Sequence, residues 1–299
     1  MKKNISFLTL LLITIIWGSA FIFQKMASEH ISSFAFNFLR FFIAAVCLFP
    51  IAFFSMKRAK RKGAKFNKRD LLLASLFCGG SLVIASILQQ YGIEYSTPSK
   101  AGFITSCYIV IVPILYLLFR KKQTVNIYIA VVICVIGLYL FCVNETFTLQ
   151  IGDALLILCA FCYAFQIICV EYFSNKVDAL ALSCGQSIVS AVCCFLPAIL
   201  FEHPSFTDFQ LSIGPVLYVA IFSTCIAYTL QIVAQKNISP TIASLVMSLE
   251  SVFGAIFGFI ILEETLSPQE IIGAIIIFSG VILAQLPSKF FLFKKNNCK

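Results

Sequence analysis

The sequence is short of charged residues. Of its 299 residues, 12% are Asp, Glu, Lys or Arg, and the acidic residues number 13. A typical soluble domain carries about 25% charged residues, so this composition excludes an ordinary soluble enzyme or binding module. Histidine is also scarce: His30 and His203 are the only two, and both fall between long apolar runs. The apolar runs themselves therefore contain no imidazole for metal binding or acid–base chemistry.

Motifs for ATP hydrolysis and for common hydrolytic chemistry are missing. The chain contains no Walker A, HExxH or GxSxG pattern, so neither ATP-driven work nor hydrolysis has support. Of the 13 cysteines, all except Cys298 lie in or at the edges of apolar runs, where they are typical packing residues. Cys159 and Cys162 form a CxxC without a second pair, unlike a zinc site. We predict no metal, no cofactor and no enzymatic activity.

What the chain has in abundance is apolar sequence. It is 60% hydrophobic, has a mean hydropathy of +0.98 and contains 32 Phe. The apolar residues come in runs of about 20, the length that a helix needs to cross a bilayer. The runs predict an all-α, polytopic membrane protein with ten transmembrane helices, at 6–26, 34–55, 71–92, 100–119, 126–143, 153–173, 180–201, 215–235, 241–262 and 269–287.

The basic residues indicate how these helices are oriented. With the N-terminus inside, all of the 22 Lys and Arg except Lys25, Arg40 and Lys100 fall on the cytoplasmic side. This positive-inside pattern predicts a multi-pass protein of the cytoplasmic membrane with both termini in the cytoplasm. The basic stretch 57–69 resembles a nucleic-acid patch, but between two spans it is better explained by topology and anionic lipid. We therefore expect the lipid bilayer, and no nucleic acid, as a partner.

The second half of the chain repeats the first. Residues 88–102, LQQYGIEYSTPSKAG, align with 230–244, LQIVAQKNISPTIAS, at an offset of 142, and Trp17 and Arg40 align with Tyr163 and Gln186 at an offset of 146. Each half has five predicted helices, and an odd number of crossings inverts the second half. We predict two inverted five-helix repeats, 1–144 and 145–299, joined near 144–152, which is typical of secondary transporters.

The motifs resemble the drug/metabolite transporter superfamily, specifically proteins with two EamA-type repeats. The similar stretches are IIWGSAFIFQK (15–25), LRFFIAA (39–45), TPSKAGFITSCYIVIVP (97–113) and SPTIASLVMSLESVFGAIFGFIILEETLSPQEIIGAIIIFSGVIL (239–283). The last of these is the most specific. The resemblance implies ten helices in two inverted repeats, a central cavity, and movement of small metabolites by alternating access. It leaves the substrate undefined.

Glu250 is the sharpest candidate for a functional residue, because a carboxyl near the middle of a predicted span is costly. One role is a site for a cationic or amine group, or a proton carrier; the other is a neutral, hydrogen-bonded architectural group. Its repeat counterpart is Tyr108, at the same predicted depth. Glu250 shares a helix face with Gly254 and Gly258, whose spacing favours close helix packing.

Polar stripes on other predicted helices indicate a buried cavity, because lipid does not tolerate a Gln-rich face. Thr224, Tyr228, Gln231 and Gln235 recur along the eighth helix, and Ser86, Gln89 and Gln90 lie on the third. Trp17, the only Trp, sits in mid-span as a candidate cavity wall. We predict a cavity between the first, third, fourth, sixth, eighth and ninth helices, with the substrate-binding residues Trp17, Gln89, Tyr108, Tyr163, Gln166, Tyr228, Gln231 and Glu250.

Two cations and three prolines complete the predictions for the spans. Arg40 and Lys100 lie toward the outer ends of their helices, where snorkelling to the surface is expected; the alternative is gating or contact with an anion. Pro98 and Pro240 predict helix starts, and Pro113 a helix break.

The sequence favours a secondary transporter that exports small organic metabolites such as amino acids or amines. The alternatives are an intramembrane enzyme, a multidrug or cation efflux protein, and a sensor or scaffold. An enzyme would need a base beside its nucleophile, and Glu250 has no partner His; a sensor would need a larger extramembrane part. Substrate identity, direction, proton coupling and oligomeric state stay open at this stage.

Overall fold

A computed structural model describes residues 2–61, 67–95, 98–118, 123–142, 151–202, 205–263 and 267–286. These residues form helices and no strand. We group the helices into ten rods in chain order: α1 Lys2–Ser28, α2 Ser33–Arg61, α3 Lys68–Glu94, α4 Pro98–Ser106 with Tyr108–Leu118, α5 Val125–Cys142, α6 Ile151–Ser174, α7 Ala179–Glu202, α8 Phe206–Gln235, α9 Pro240–Met247 with Glu250–Leu262, and α10 Pro268–Gln285.

The ten rods are long, apolar and wrapped in apolar side chains. Within the described residues, eight are long and apolar enough to span a membrane, while α5 and α10 carry shorter apolar segments. Large side chains such as Phe54, Leu118 and Phe201 are more than 60% exposed on the outside of the bundle. Such a surface suits lipid and not water. The all-helical, multi-pass fold predicted from the apolar runs is confirmed.

The start of α8 differs from its predicted position. The prediction began this helix at 215 and treated 202–214 as a loop, whereas α8 begins at Phe206. The reason is a capping box: the Ser205 hydroxyl accepts from the Asp208 N–H at 3.1 Å, and the Asp208 carboxylate accepts from the Ser205 N–H at 2.9 Å. Pro215 is tolerated inside the rod, which continues in a π-helical stretch at Val219–Ala227.

Both α4 and α9 are broken near their middles. The break in α4 lies at Cys107, whose N–H bonds the Ile104 carbonyl at 3.1 Å, a tight three-residue turn. In α9 the Leu249 N–H bonds the Val246 carbonyl in the same way, also at 3.1 Å. The predicted break at Pro113 is therefore misplaced: Pro113 lies inside Tyr108–Leu118. Pro98 and Pro240 start their helices as predicted.

The packing of the rods follows an approximate two-fold symmetry. Helices in equivalent positions of the two halves pair directly: α2 with α7, α4 with α9, and α5 with α10. The remaining contacts come as related pairs, with α1 on α8 matching α6 on α3, and α1 on α9 matching α6 on α4. This is the contact pattern that two inverted repeats produce.

The closest approach in the centre is between α1 and α9. A Cβ added to Gly18 would lie 2.6 Å from the Phe253 Cβ and 2.8 Å from the Gly254 nitrogen. The predicted close packing at Gly254 is present but looser, since a Cβ there would meet the Gly18 oxygen at 3.6 Å. Gly18 is the residue that allows these two helices to pack together.

Some sequence predictions fall outside the described residues. These are the junction of the repeats at 143–150, part of the basic stretch at 62–66, the basic residues at 120–122 and the C-terminal ones beyond 286.

Candidate functional site: a polar cavity between the repeats

A polar cavity lies in the middle of the bundle. The enclosed space amounts to about 30 Å³, which is room for about two water molecules. Its walls come from both halves of the chain and consist of Trp17, Ala20, Phe21, Gln24, Arg40, Gln89, Tyr108, Tyr163, Gln166, Ile167, Ser223, Tyr228, Gln231, Met247 and Glu250. An aromatic wall with a few converging polar groups is typical of a small-molecule site.

The centre of the cavity holds a hydrogen bond between the two repeats. The Tyr108 hydroxyl donates to Glu250 Oε1 at 3.0 Å, and both side chains are at least 95% buried. Each residue follows its helix break directly, since Tyr108 begins the second segment of α4 and Glu250 that of α9. A helix N-terminus favours a negative group. The breaks thus place the Glu250 carboxyl beside the start of a helical segment in the middle of the bundle.

A chain of hydrogen bonds links α3, α6 and α8 on one wall. The Tyr163 hydroxyl donates to Gln89 Oε1 at 3.1 Å and accepts from the Tyr228 hydroxyl at 3.5 Å. The amides of Gln166 and Gln231 face each other, with Gln231 Nε2 donating to Gln166 Oε1 at 3.2 Å. Buried polar groups satisfied in this way hold the wall in one arrangement.

Trp17 of α1 continues this wall next to Tyr228. Its indole N–H donates to the Ser223 carbonyl at 3.2 Å, within the π-helical stretch of α8. Its ring lies 5.1 Å from the ring of Tyr228, at an angle of 55°. Trp17 therefore presents an aromatic face to the cavity while its polar atom is satisfied.

All eight residues predicted to bind substrate line this one cavity. They come from the six helices that the sequence singled out. Their role in binding a substrate stays a prediction. Of the other members of the polar stripes, Gln90 donates to the Gln24 carbonyl and Gln235 to the Ile167 carbonyl, each at 3.1 Å. The hydroxyls of Ser86 and Thr224 are buried without a hydrogen-bond partner among the described residues.

The prediction that Arg40 snorkels to the surface is wrong. Arg40 is 2% exposed and lines the cavity, which adds α2 to its walls. Its guanidinium carbon lies 4.6 Å from the centre of the Phe41 ring and 5.6 Å from that of Phe36. Arg40 lies seven residues after the start of α2, which is too deep for its side chain to reach the end of the helix. Two features of the sequence could have indicated that Arg40 is buried. One is its depth in the helix, and the other is the polar residue Gln186 at the equivalent position of the second half.

The snorkelling prediction also fails for Lys100. Its ammonium contacts the Asp153 carboxylate at 2.8 Å, joining the first turn of α4 to the first turn of α6. Asp153 is 1% exposed, whereas Lys100 is 24% exposed. No local pattern indicates that these two residues pair, because they lie 53 residues apart.

Glu202, at the end of α7, caps another helix. Its carboxylate accepts from the Phe34 N–H at 3.0 Å, the Ala35 N–H at 2.8 Å and the Ser32 hydroxyl at 2.5 Å. Tyr91 of α3 adds a fourth contact at 3.2 Å. The first turn of α2 therefore obtains its cap from α7, which a local sequence pattern cannot reveal.

The fold and the cavity define a multi-pass membrane protein with a polar cavity between its two halves. A sequence description of the EamA-like transporter family matches residues 4–143 and 150–286. The chain belongs to this family of membrane transporters, as its resemblance to EamA-type proteins implied.

Curated relatives of similar length carry the same general description. An uncharacterized transporter of Archaeoglobus fulgidus is 32% identical over 293 residues, covering 95% of this chain and 87% of the relative. The uncharacterized transporter YetK of Bacillus subtilis is 28% identical, covering 91% and 84%. A solved structure, described only as the crystal structure of a protein, superposes with a TM-score of 0.75 at 13% identity over 97% of this chain and 99% of its own. At that identity the likeness concerns the fold.

Proposed function

We propose that the protein is a secondary transporter that exports small, amine-bearing organic metabolites across the cytoplasmic membrane by alternating access. The observation that carries the proposal is the Tyr108–Glu250 contact: a buried carboxyl at the interface of two repeats, beside a polar cavity whose walls come from both of them. A carboxylate in such a place needs either a proton or a cation.

The arrangement of hydrogen bonds supports an amine as the natural partner of Glu250. Tyr108 bonds Oε1, and the rings of Tyr108, Tyr163 and Trp17 line the same space. A protonated amine would find the carboxylate on one side and aromatic faces around it, which together bind ammonium groups well. When no solute is bound, a proton on Glu250 would neutralise it. The same group thus supports exchange of a proton for a cationic solute.

The direction of transport and the orientation are part of the proposal. In the proposed orientation, the cytoplasmic ends of the helices carry basic residues. Among the described residues these include Lys57–Arg61 at the end of α2 and Lys176 between α6 and α7. Export is the habit of the families that the chain resembles. A tag on each terminus, tested for protease access in right-side-out vesicles, checks the orientation.

The decisive experiment is flux in liposomes that contain the purified protein. We expect saturable movement of at least one amine-bearing solute from a panel of amino acids, amines and nucleosides, accelerated by a proton gradient. Glu250→Gln keeps the shape and the contact with Tyr108 but removes the charge, so the pH dependence should disappear while the protein still inserts and folds.

The matched control is Gln269→Glu or Gln269→Ala at the exposed start of α10, away from the cavity. Saturable flux in Glu250→Gln with an unchanged pH profile would make this carboxyl architectural. No flux of any solute, together with chemical conversion of one, would replace the transporter with an intramembrane enzyme.

A further inference from the structure

A second charged group lines the same cavity and has no role in the amine site. Arg40 is 2% exposed, and its Nε and Nη2 atoms have no hydrogen-bond partner among the described residues. The rings of Phe36 and Phe41 lie beside the guanidinium but accept no conventional hydrogen bond. A buried guanidinium with unused donors is costly, and a ligand that accepts those bonds would remove the cost.

Arg40 and Glu250 lie on the same cavity without pairing. Both residues are described, and they form no ion pair with each other. Two opposite charges that line one cavity without pairing are both available to a solute when the cavity opens. With Glu250 ionised the two charges sum to zero, so a ligand that is itself neutral overall, with separated charges, leaves the site balanced.

We propose that Arg40 binds an acid group of the solute, and that the solute carries a carboxylate at one end and a protonated amine at the other. The inference rests on the proposed function and narrows its substrate class from amines to zwitterions. Guanidinium binds carboxylate through a planar pair of N–H donors. A phosphate would bring a second negative charge, which the site cannot balance while Glu250 is ionised.

The repeat supports the assignment of Arg40 to recognition. Its counterpart Gln186 occupies the equivalent position in α7, is fully buried and is neutral. Equivalent packing is therefore achieved without a charge in the second half. The charge at residue 40 is an addition to the scaffold on one side only.

The test compares compounds that differ by one group. Thermal unfolding of the purified wild-type protein is measured with three amino acids and, separately, with the amine that each gives on decarboxylation. The pairs are leucine with isoamylamine, phenylalanine with phenethylamine, and ornithine with putrescine. Phosphoethanolamine is added as a zwitterion that carries a phosphate. We expect the strongest stabiliser to carry a carboxylate. Arg40→Gln introduces the residue that the second half has at the equivalent position, Gln186. This variant should bind that compound about tenfold more weakly or worse, because a charge-assisted pair is lost. Its affinity for the corresponding decarboxylated amine should be unchanged.

Lys236→Gln, an exposed charge deletion, is the control and should leave both compounds unchanged. Where Arg40→Gln does not fold, Arg40→Lys decides: it keeps the charge but not the planar fork, and should weaken only the carboxylate-bearing member of a pair. Equal loss for both members, or an amine that binds as well as its amino acid, overturns the proposal. So does a preference for phosphoethanolamine, or no stabilisation by any compound. Flux of a solute without a carboxylate would overturn it while leaving the transporter function intact.

Discussion

The two halves of the molecule share a scaffold and differ in charge. In the first half, the central positions hold Arg40 and Tyr108; in the second, the equivalent positions hold Gln186 and Glu250. The helices around them pack in related pairs. Symmetry therefore describes the backbone, whereas the cation comes from one half and the anion from the other. Under the proposed function, this difference in charge would allow a polar solute to bind in one orientation only.

The hydrogen bonds of the cavity depart from the symmetry as well. Trp17 and Tyr163 are repeat counterparts, yet the indole of Trp17 bonds a backbone carbonyl of α8 while the hydroxyl of Tyr163 bonds the Gln89 side chain. Gln231, the counterpart of Gln89, pairs instead with Gln166. The four predictions below test this contrast, from the largest expected effect to the smallest.

Making the halves alike at their centre should remove transport. In Glu250→Tyr both central positions hold Tyr, and the loss of a buried carboxylate partner costs about 3 kcal/mol, or about 100-fold in apparent affinity for an amine-bearing solute. The exchange variant Tyr108→Glu/Glu250→Tyr moves the carboxyl across a 3.0 Å contact and should regain part of the loss. Flux in liposomes measures both. An exchange variant no better than Glu250→Tyr would mean that the position of the charge relative to Arg40 is decisive.

Adding a methyl group at Gly18 should destabilise the protein, because α1 packs closely against α9 at this residue. Gly18→Ala places a Cβ 2.6 Å from that of Phe253, and overpacking of this kind costs about 1–3 kcal/mol. The repeat counterpart already carries a methyl group as Ala164. Thermal unfolding in detergent should show a lower midpoint for Gly18→Ala. Gly80→Ala, where a Cβ meets nothing within 4 Å, is the control and should not lower it. Equal midpoints for the two variants would disprove the close approach.

The Lys100–Asp153 pair should respond unequally to loss of either partner. Lys100→Gln removes the ammonium that contacts Asp153, a carboxylate that is only 1% exposed. Asp153→Asn removes the carboxylate instead, and the Lys100 ammonium that remains can reach solvent. After allowance for that exposure, we expect Lys100→Gln to cost about 1–2 kcal/mol and Asp153→Asn less. Chemical unfolding of the two single variants and the double variant gives the coupling. Equal costs would mean that the difference in exposure of the two partners does not decide how much each contributes.

Removing one hydroxyl should give the smallest effect. Tyr163→Phe deletes the donor to Gln89 at 3.1 Å and the acceptor for Tyr228, a change worth about 1 kcal/mol. Affinity for a transported solute should fall less than about tenfold. Gln166→Ala interrupts the neighbouring pair with Gln231 and provides the comparison within the same wall. A loss as large as that of Glu250→Tyr would show that the hydroxyl contacts the solute directly.

The fold and the members of the cavity could be predicted because membranes restrict polar groups so strongly. Gln89, Tyr163 and Gln231 had to face the bundle interior, since lipid offers no hydrogen bonds. Arg40 was missed because a long basic side chain has a second solution, snorkelling, that sequence alone favours. The early start of α8 was missed because Pro215 resembles a helix start, while the capping box at Ser205 is a weaker local signal.

What sequence could not provide were contacts between distant segments. Glu202 caps α2 from the end of α7, and Lys100 reaches Asp153 across 53 residues. Neither follows from a local pattern, because each depends on how the rods pack. The Tyr108–Glu250 bond was foreseeable as a pairing of equivalent positions, and its direct contact became visible in the packed bundle.

The breaks in α4 and α9 have a mechanical consequence. Each gives its helix a flexion point near residues 107 and 248–249, and the side chains just beyond those points are tied together by the Tyr108–Glu250 bond. That bond connects the second segment of α4 to the second segment of α9. Under the proposed function, a solute that competes for the Glu250 carboxyl would break this bond and allow the two segments of each helix to tilt separately. Arrival of the cargo and release of the joint would then be a single event.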